Sequence, residues 1–170
     1  FAVVDYSPIV NAYVGPPSNN PNIAGPAAAN TTLGAGAGKG VSVIAEAENN
    51  AGTSGIAAAL SAGLSISVNT ALTYVTGTVA AQLNGNVSGG GTITVSAVQS
   101  STVTSDIKAG SGGLVAGTVN IAYSTQTTAL DAHIGNRGTL NVTGAVSVTA
   151  QSIDDVKATE LGISVGAGAI

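Results

Sequence analysis

Apolar and polar residues alternate along most of the chain. Leu64, Ile66, Val68 and Leu72 share one parity, while Ser65, Ser67, Asn69 and Thr73 take the other. Such a period-two pattern predicts a half-buried strand with its Leu/Ile/Val side against a core. Further on the apolar side changes parity, to Val79, Ala81 and Leu83, and the same change recurs from Val119, Ile121 and Tyr123 to Leu130, Ala132 and Ile134. A one-residue shift exchanges the two faces of a strand, so a bend or bulge is expected near the equivalent positions Pro8, Gly77 and Thr128. Helix competes only in the Ala-rich stretch Ile56 to Leu64. The interleaved Gly55, Ser61 and Gly63 weaken it, and strand is expected there too.

The pattern repeats at long range. Val41-Ser42-Val43-Ile44-Ala45 returns as Ile93-Thr94-Val95-Ser96-Ala97 and again as Val146-Ser147-Val148-Thr149-Ala150, at spacings of 52 and 53 residues. A second phrase, Ala12-Tyr13-Val14-Gly15, returns as Ala81-Gln82-Leu83-Asn84 and as Ala132-His133-Ile134-Gly135. Self-similarity at such a period marks a stacked array. The expected fold is all-β, a β-solenoid like a parallel β-helix, built from repeats of about 52 residues. Each repeat would make two or three coils, and Val43, Val95 and Val148 would be buried at equivalent places. A long-stranded antiparallel β-sandwich is the alternative that parity leaves open. The units run 1–40 (partial), 41–92, 93–145 and 146–170 (partial).

The first unit carries a Pro- and Asn-rich insertion over 15–40, with Pro16, Pro17, Pro21 and Pro26 as candidates for a lateral contact. This segment is expected to leave the stack and reach over its side or towards a neighbour. Phe1, Ala2, Val3 and Val4 open within a unit, and Gly162, Ile163, Val165, Ala167, Ala169 and Ile170 close within another. Both stretches are uncharged and β-competent, unlike the polar caps of natural arrays. They are the expected end-to-end interface, covalent in a longer chain or by strand addition between subunits.

Composition narrows the chemistry. Ala, Gly, Val, Thr and Ser make up 109 of the 170 residues, charged residues are 7%, and Cys, Met and Trp are absent. A net charge of −4 with four scattered cations gives no footprint for nucleic acid. The uncharged run Asn49 to Ser105 is 57 residues long, but Gly, Ser, Thr and Asn interrupt it throughout, so no membrane span is expected. Hydrophobic content of 44% places the chain outside the disordered class.

Candidate catalytic groups are few. Asp131 and His133 share a strand face, the spacing that would seed a metal site or triad. The positions equivalent to His133, however, hold Tyr13 and Gln82, which suits a solvent-facing side. Glu46 and Glu48 share a face without acidic counterparts in the other units, and Asp154-Asp155 with Lys157 and Glu160 suits a solvated edge. No enzyme activity, metal or cofactor is expected. Thr-x-Thr pairs such as Thr76/Thr78 and Thr125/Thr127 keep an ice-binding solenoid as one alternative, and a carbohydrate-binding or carbohydrate-cleaving solenoid as another.

Asp131-Ala132-His133-Ile134-Gly135, then Gly144-Ala145 through Gln151-Ser152, then Gly162 to Ile170 carry a resemblance. Over most of Val41 to Ile170 the chain resembles the repeat regions of very large secreted bacterial proteins, the leukotoxin-type filamentous adhesins and haemagglutinin-like giants. That resemblance implies a structural module of an extracellular, cell-surface filament or adhesin. Its partners would be adjacent repeats or further copies of the chain, with a host or cell-surface receptor. It implies no catalytic residue.

Overall fold

The computed structural model describes residues 1–15, 32–34, 36, 38–135 and 139–169. Eleven strands follow one another: β1 (Ala2–Tyr6), β2 (Ile9–Val14), β3 (Thr32–Gly34), β4 (Val41–Leu60), β5 (Leu64–Leu83), β6 (Asn86–Gly90), β7 (Ile93–Gly112), β8 (Val115–Ile134), β9 (Leu140–Val142), β10 (Val146–Val165) and β11 (Gly168–Ala169). Among the described residues there is no helix, and thus none long and apolar enough to cross a membrane. The Ala-rich Ile56–Leu60 forms the end of β4. There the extended backbone has a partner on β7 along its whole length, which outweighs the helix preference of alanine.

Every strand pair is parallel, which removes the antiparallel sandwich. Three sheets form, with orders β10-β7-β4, β3-β6-β9 and β1-β5-β8-β11, and β2 also on β5. The chain visits the sheets in turn and returns one strand further on, an arrangement consistent with a β-solenoid or β-helix-like fold. One passage from Val41 to Thr92 makes a single circuit through β4, β5 and β6, where two or three coils were expected. The reason is strand length. Each 20-residue strand is about 65 Å long, so two of them and a short third consume the whole unit.

The ladders are regular. Val43 pairs with Val95 and Val95 with Val148, and the register of β4 on β7 and β7 on β10 holds without a shift from end to end. The same is true of β5 on β8 from Leu64↔Val115 to Leu83↔Ile134. The bend expected at Gly77 and Thr128 is therefore absent. Only at Pro8 is the strand interrupted, between β1 and β2, because proline cannot donate to the ladder.

This straightness overturns the expected burial of the first half of β5. Ser65 and Ser67 face inward and are buried, whereas Leu64, Ile66 and Val68 point out, at 64%, 59% and 65% exposed. In the second half Val75, Val79, Ala81 and Leu83 lie on that same inner side. The strand does not turn over; its apolar residues cross from the outer to the inner face.

The largest core joins Val43, Ala45, Val79, Ala81, Leu83, Val87, Ile93, Val95 and Ala97 at the end with apolar side chains inside. At the turn beyond it Gly15 has φ of +83°, and a Cβ there would stand 3.0 Å from the Asn84 carbonyl group, so the stacked turns demand glycine. Of the inserted segment, Thr32–Gly34 rejoins the stack as β3 on β6, so 15–40 does not leave it entirely. Pro16, Pro17, Pro21 and Pro26 lie outside the described residues.

Val148 corrects a further expectation. Val43 and Val95 are buried, but Val148 is 47% exposed. It sits on β10, the last strand of its sheet, where every residue from Val146 to Ile163 is exposed. Val95→Asp should therefore cost about 4 kcal/mol or more, by burying an unpaired carboxylate. Val148→Asp in unassembled protein should cost less than about 1 kcal/mol. Denaturant titration of both variants checks this, and equal losses would mean that β10 is as fully packed as β7.

Candidate functional site

The pair singled out for catalysis does come together. His133 Nδ1 lies 2.7 Å from Asp131 Oδ1, with His133 8% exposed. Asp131 Oδ2 also accepts a 2.8 Å hydrogen bond from Gln82 Nε2, one strand away on β5. The ladder sets Tyr13, Gln82 and His133 side by side, so this carboxylate ties neighbouring strands together. A triad needs a nucleophile on the imidazole and a metal needs a third ligand. His133 Nε2 has no hydrogen-bond partner among the described residues, and no group of three His, Asp or Glu side chains gathers there.

Glu46 and Glu48 stand exposed on the outer side of β4. Of the remaining charge cluster, Asp155 and Lys157 lie on the exposed outer side of β10. Asp154 and Glu160 take the inner side, in register with Ser101 and Ile107. Asp154 accepts from Ser152 Oγ at 2.6 Å and from Gln99 Nε2 at 3.4 Å. Glu160 Oε1 accepts the backbone N–H of Ala122 at 2.6 Å. That amide is on the edge of β8 that no strand covers among the described residues beyond Ala116. The solvated edge expected of this cluster is thus also the place where the Glu160 carboxylate caps open backbone.

Inside the inverted half, hydroxyl groups share the interior with a small apolar cluster of Ala71, Ile107 and Ala109. Thr53 Oγ1 lies 2.9 Å from Thr73 Oγ1 and 3.2 Å from Ser105 Oγ, and Thr73 Oγ1 lies 2.9 Å from Ser105 Oγ. Thr73 donates to the Thr104 carbonyl at 2.8 Å, Ser105 to that of Tyr123 at 2.8 Å, and Ser124 to that of Lys157 at 2.8 Å. A second knot joins Ser111, Thr118 and Ser164 at 3.0 to 3.2 Å, and Asn69 donates to Asn120 Oδ1 at 3.2 Å. Thr53–Thr73, Thr73–Ser105 and the contacts of Thr118 with Ser111 and Ser164 join one long-stranded sheet to the other. Thr53–Ser105, Ser111–Ser164 and Asn69–Asn120 link neighbouring strands within a sheet. Period-two reading misses them because it assigns the apolar side to the core. The signal that would have found them is recurrence of hydroxyl or amide side chains at equivalent places: Thr53 with Ser105, Ser111 with Ser164, and Asn69 with Asn120.

The counterpart of that polar interior is an uncharged apolar surface. Leu64, Ile66, Val68, Val115, Val119 and Ile121 stand exposed on the outer side of β5 and β8. Gly117 leaves a shallow apolar groove of about 220 Å³ between them. Tyr74 and Tyr123 continue the face with ring centroids 5.8 Å apart.

The residues expected at the ends differ in exposure. Phe1 and Val3 stand exposed at the uncovered side of β1, with Ala2 and Val4 half-buried. Gly162, Ile163, Val165 and Ala167 are exposed at the β10 end. Ala169 lies in β11, paired with Ala116, and Ile170 is outside the described residues. Compared with family models, curated proteins and solved structures, the chain matches none.

Two substitutions separate the polar interior from the apolar exterior. Thr73→Val removes the central hydroxyl while keeping shape, and should cost about 1–3 kcal/mol. Ile66→Thr, on the outer side, should change stability by no more than about 0.5 kcal/mol and lower binding of a hydrophobic dye. Chemical denaturation and dye titration read the two effects; the reverse ranking would mean that the apolar residues face the core.

Proposed function

We propose that the chain is a structural module of an extracellular bacterial filament or giant adhesin, a β-solenoid of repeats of about 52 residues that stacks end to end through β-strand pairing. The observation that carries this reading is β10. It offers a straight 20-residue edge in unbroken parallel register with the strand beneath it, yet every residue from Val146 to Ile163 is exposed. A long, regular, exposed edge is a template for a further strand.

The module works mechanically. Successive units extend the ladders, and pulling along the stack loads many backbone hydrogen bonds together. Few charges are available to titrate or be screened, so stiffness responds weakly to salt. The sequence resemblance to secreted adhesin repeats supports an extracellular, cell-surface setting in which a receptor is met by the outer faces.

A heterologous contact that does not close generates an open filament. Expressed alone, the 170 residues should form unbranched filaments, seen by negative-stain microscopy and as a fast-sedimenting species. Val165→Asp with Ala167→Asp should suppress them, since both positions are exposed at the β10 end. A monomer in sedimentation at every concentration would defeat the proposal.

A further inference from the structure

The two ends of the stack have complementary steps. At one end β10 extends beyond β8, which has only β11 on its outer edge. At the other end β1 and β2 extend beyond β4. We infer that a second copy of this chain docks in a half-lap joint: its β4 pairs with β10 while its β1 and β2 pair with β8, in the register already used within the chain. This inference rests on the end-to-end stacking proposed above and adds the contacts that define it.

The internal register determines which residues meet. Asn49 pairs with Ser101 and Ser101 with Asp154, so Asn49 of the next copy falls beside Asp154. By the same rule Asn50 falls beside Asp155, and Asn11 beside Asp131. Three carboxylates at one end thus meet three carboxamides at the other. The acidic residues of the second end avoid them: Glu46 falls beside Gln151, Glu48 beside Ile153 and Asp5 beside Thr125. No carboxylate faces another across the joint, and hydrogen bonds from amide to charged acceptor are among the stronger ones.

A second, independent observation points the same way. Asn49 is 2% exposed, and its Nδ2 has no hydrogen-bond acceptor among the described residues. An orphaned buried donor of this kind is costly, and the joint brings the Asp154 carboxylate to it.

Apolar packing agrees. A cleft of about 500 Å³ opens between β1 and β4, with Val4, Tyr6 and Ala51 in its lining beside the polar Asp5, Glu48 and Asn50. Val156 is in register with Val103 and Ala51, which pack with Val4 and Val75, so Val156 of the preceding copy enters this cleft. Glu160 must release the Ala122 amide, which β1 of the incoming copy then takes over. Gly55 of that copy falls beside Glu160 and leaves room for its side chain.

The chain has no cysteine, so cross-linking tests the register cleanly. Asn50→Cys and Asp155→Cys are prepared as separate proteins, mixed and oxidised, with Asn50→Cys plus Lys157→Cys as the shifted control. In register the Cα atoms lie about 5 Å apart, within disulfide reach, while a two-residue shift takes them to about 8 Å, beyond it. The expected result is a reducible heterodimer from the first mixture alone, with filaments by microscopy in both. Filaments with equal cross-linking in both mixtures, with cross-linking only in the shifted mixture, or with none in either, would overturn the joint and leave stacking intact. Monomers without filaments would overturn stacking and the joint together.

Discussion

Each 20-residue strand must find a neighbour along its full length, because about 65 Å of extended backbone carries a donor and an acceptor at nearly every step. Parallel pairing with the strand one circuit earlier meets that demand without a hairpin. Once β4, β7 and β10 are aligned at Val43, Val95 and Val148, every other pairing in the sheet follows. A single slipped residue would turn twenty side chains over at once. The cooperative ladder is therefore stronger than the local preference of any one segment.

That ranking explains the inverted half. A bend at Gly77 would have put Leu64, Ile66 and Val68 inside, at the expense of hydrogen bonds on both sides of β5. The straight strand instead buries Ser65, Ser67 and Thr73. Hydroxyl groups are small enough for two sheets to close upon them and can satisfy one another, as Thr53, Thr73, Ser105 and Ser124 do. A buried network is tolerable only when its members find partners, and these reach backbone carbonyls as well as each other. The apolar side chains left outside make an uncharged surface on β5 and β8.

The same ladder organises function. Stacking leaves the middle of the array closed and concentrates open backbone at its ends, where Asp154, Glu160 and Asn49 are found. The register places Asp131, Asp154, Asp155 and Glu160 at one end and Asn11, Asn49 and Asn50 at the other. The one imidazole serves a different purpose, bracing β8 against β5 through Asp131 and Gln82.

The sequence by itself determined that the chain is all-β and where its most regular strands lie. It left open the number of coils in a unit and the parallel or antiparallel sense of pairing. Recurrence of the Val41–Ala45 phrase located β4, β7 and β10 and their mutual register, since equivalent segments with identical patterns pair best with each other. It did not determine which face of each strand looks inward. Period two shows that faces differ, and the usual inference that hydrocarbon goes inside fails for Leu64, Ile66 and Val68 because hydrogen-bond continuity is a property of the whole sheet. Nor did it determine that Val148 would be half-exposed while Val43 and Val95 are buried. The three valines are locally equivalent, and only the presence or absence of a facing strand, a fact of tertiary structure, tells them apart.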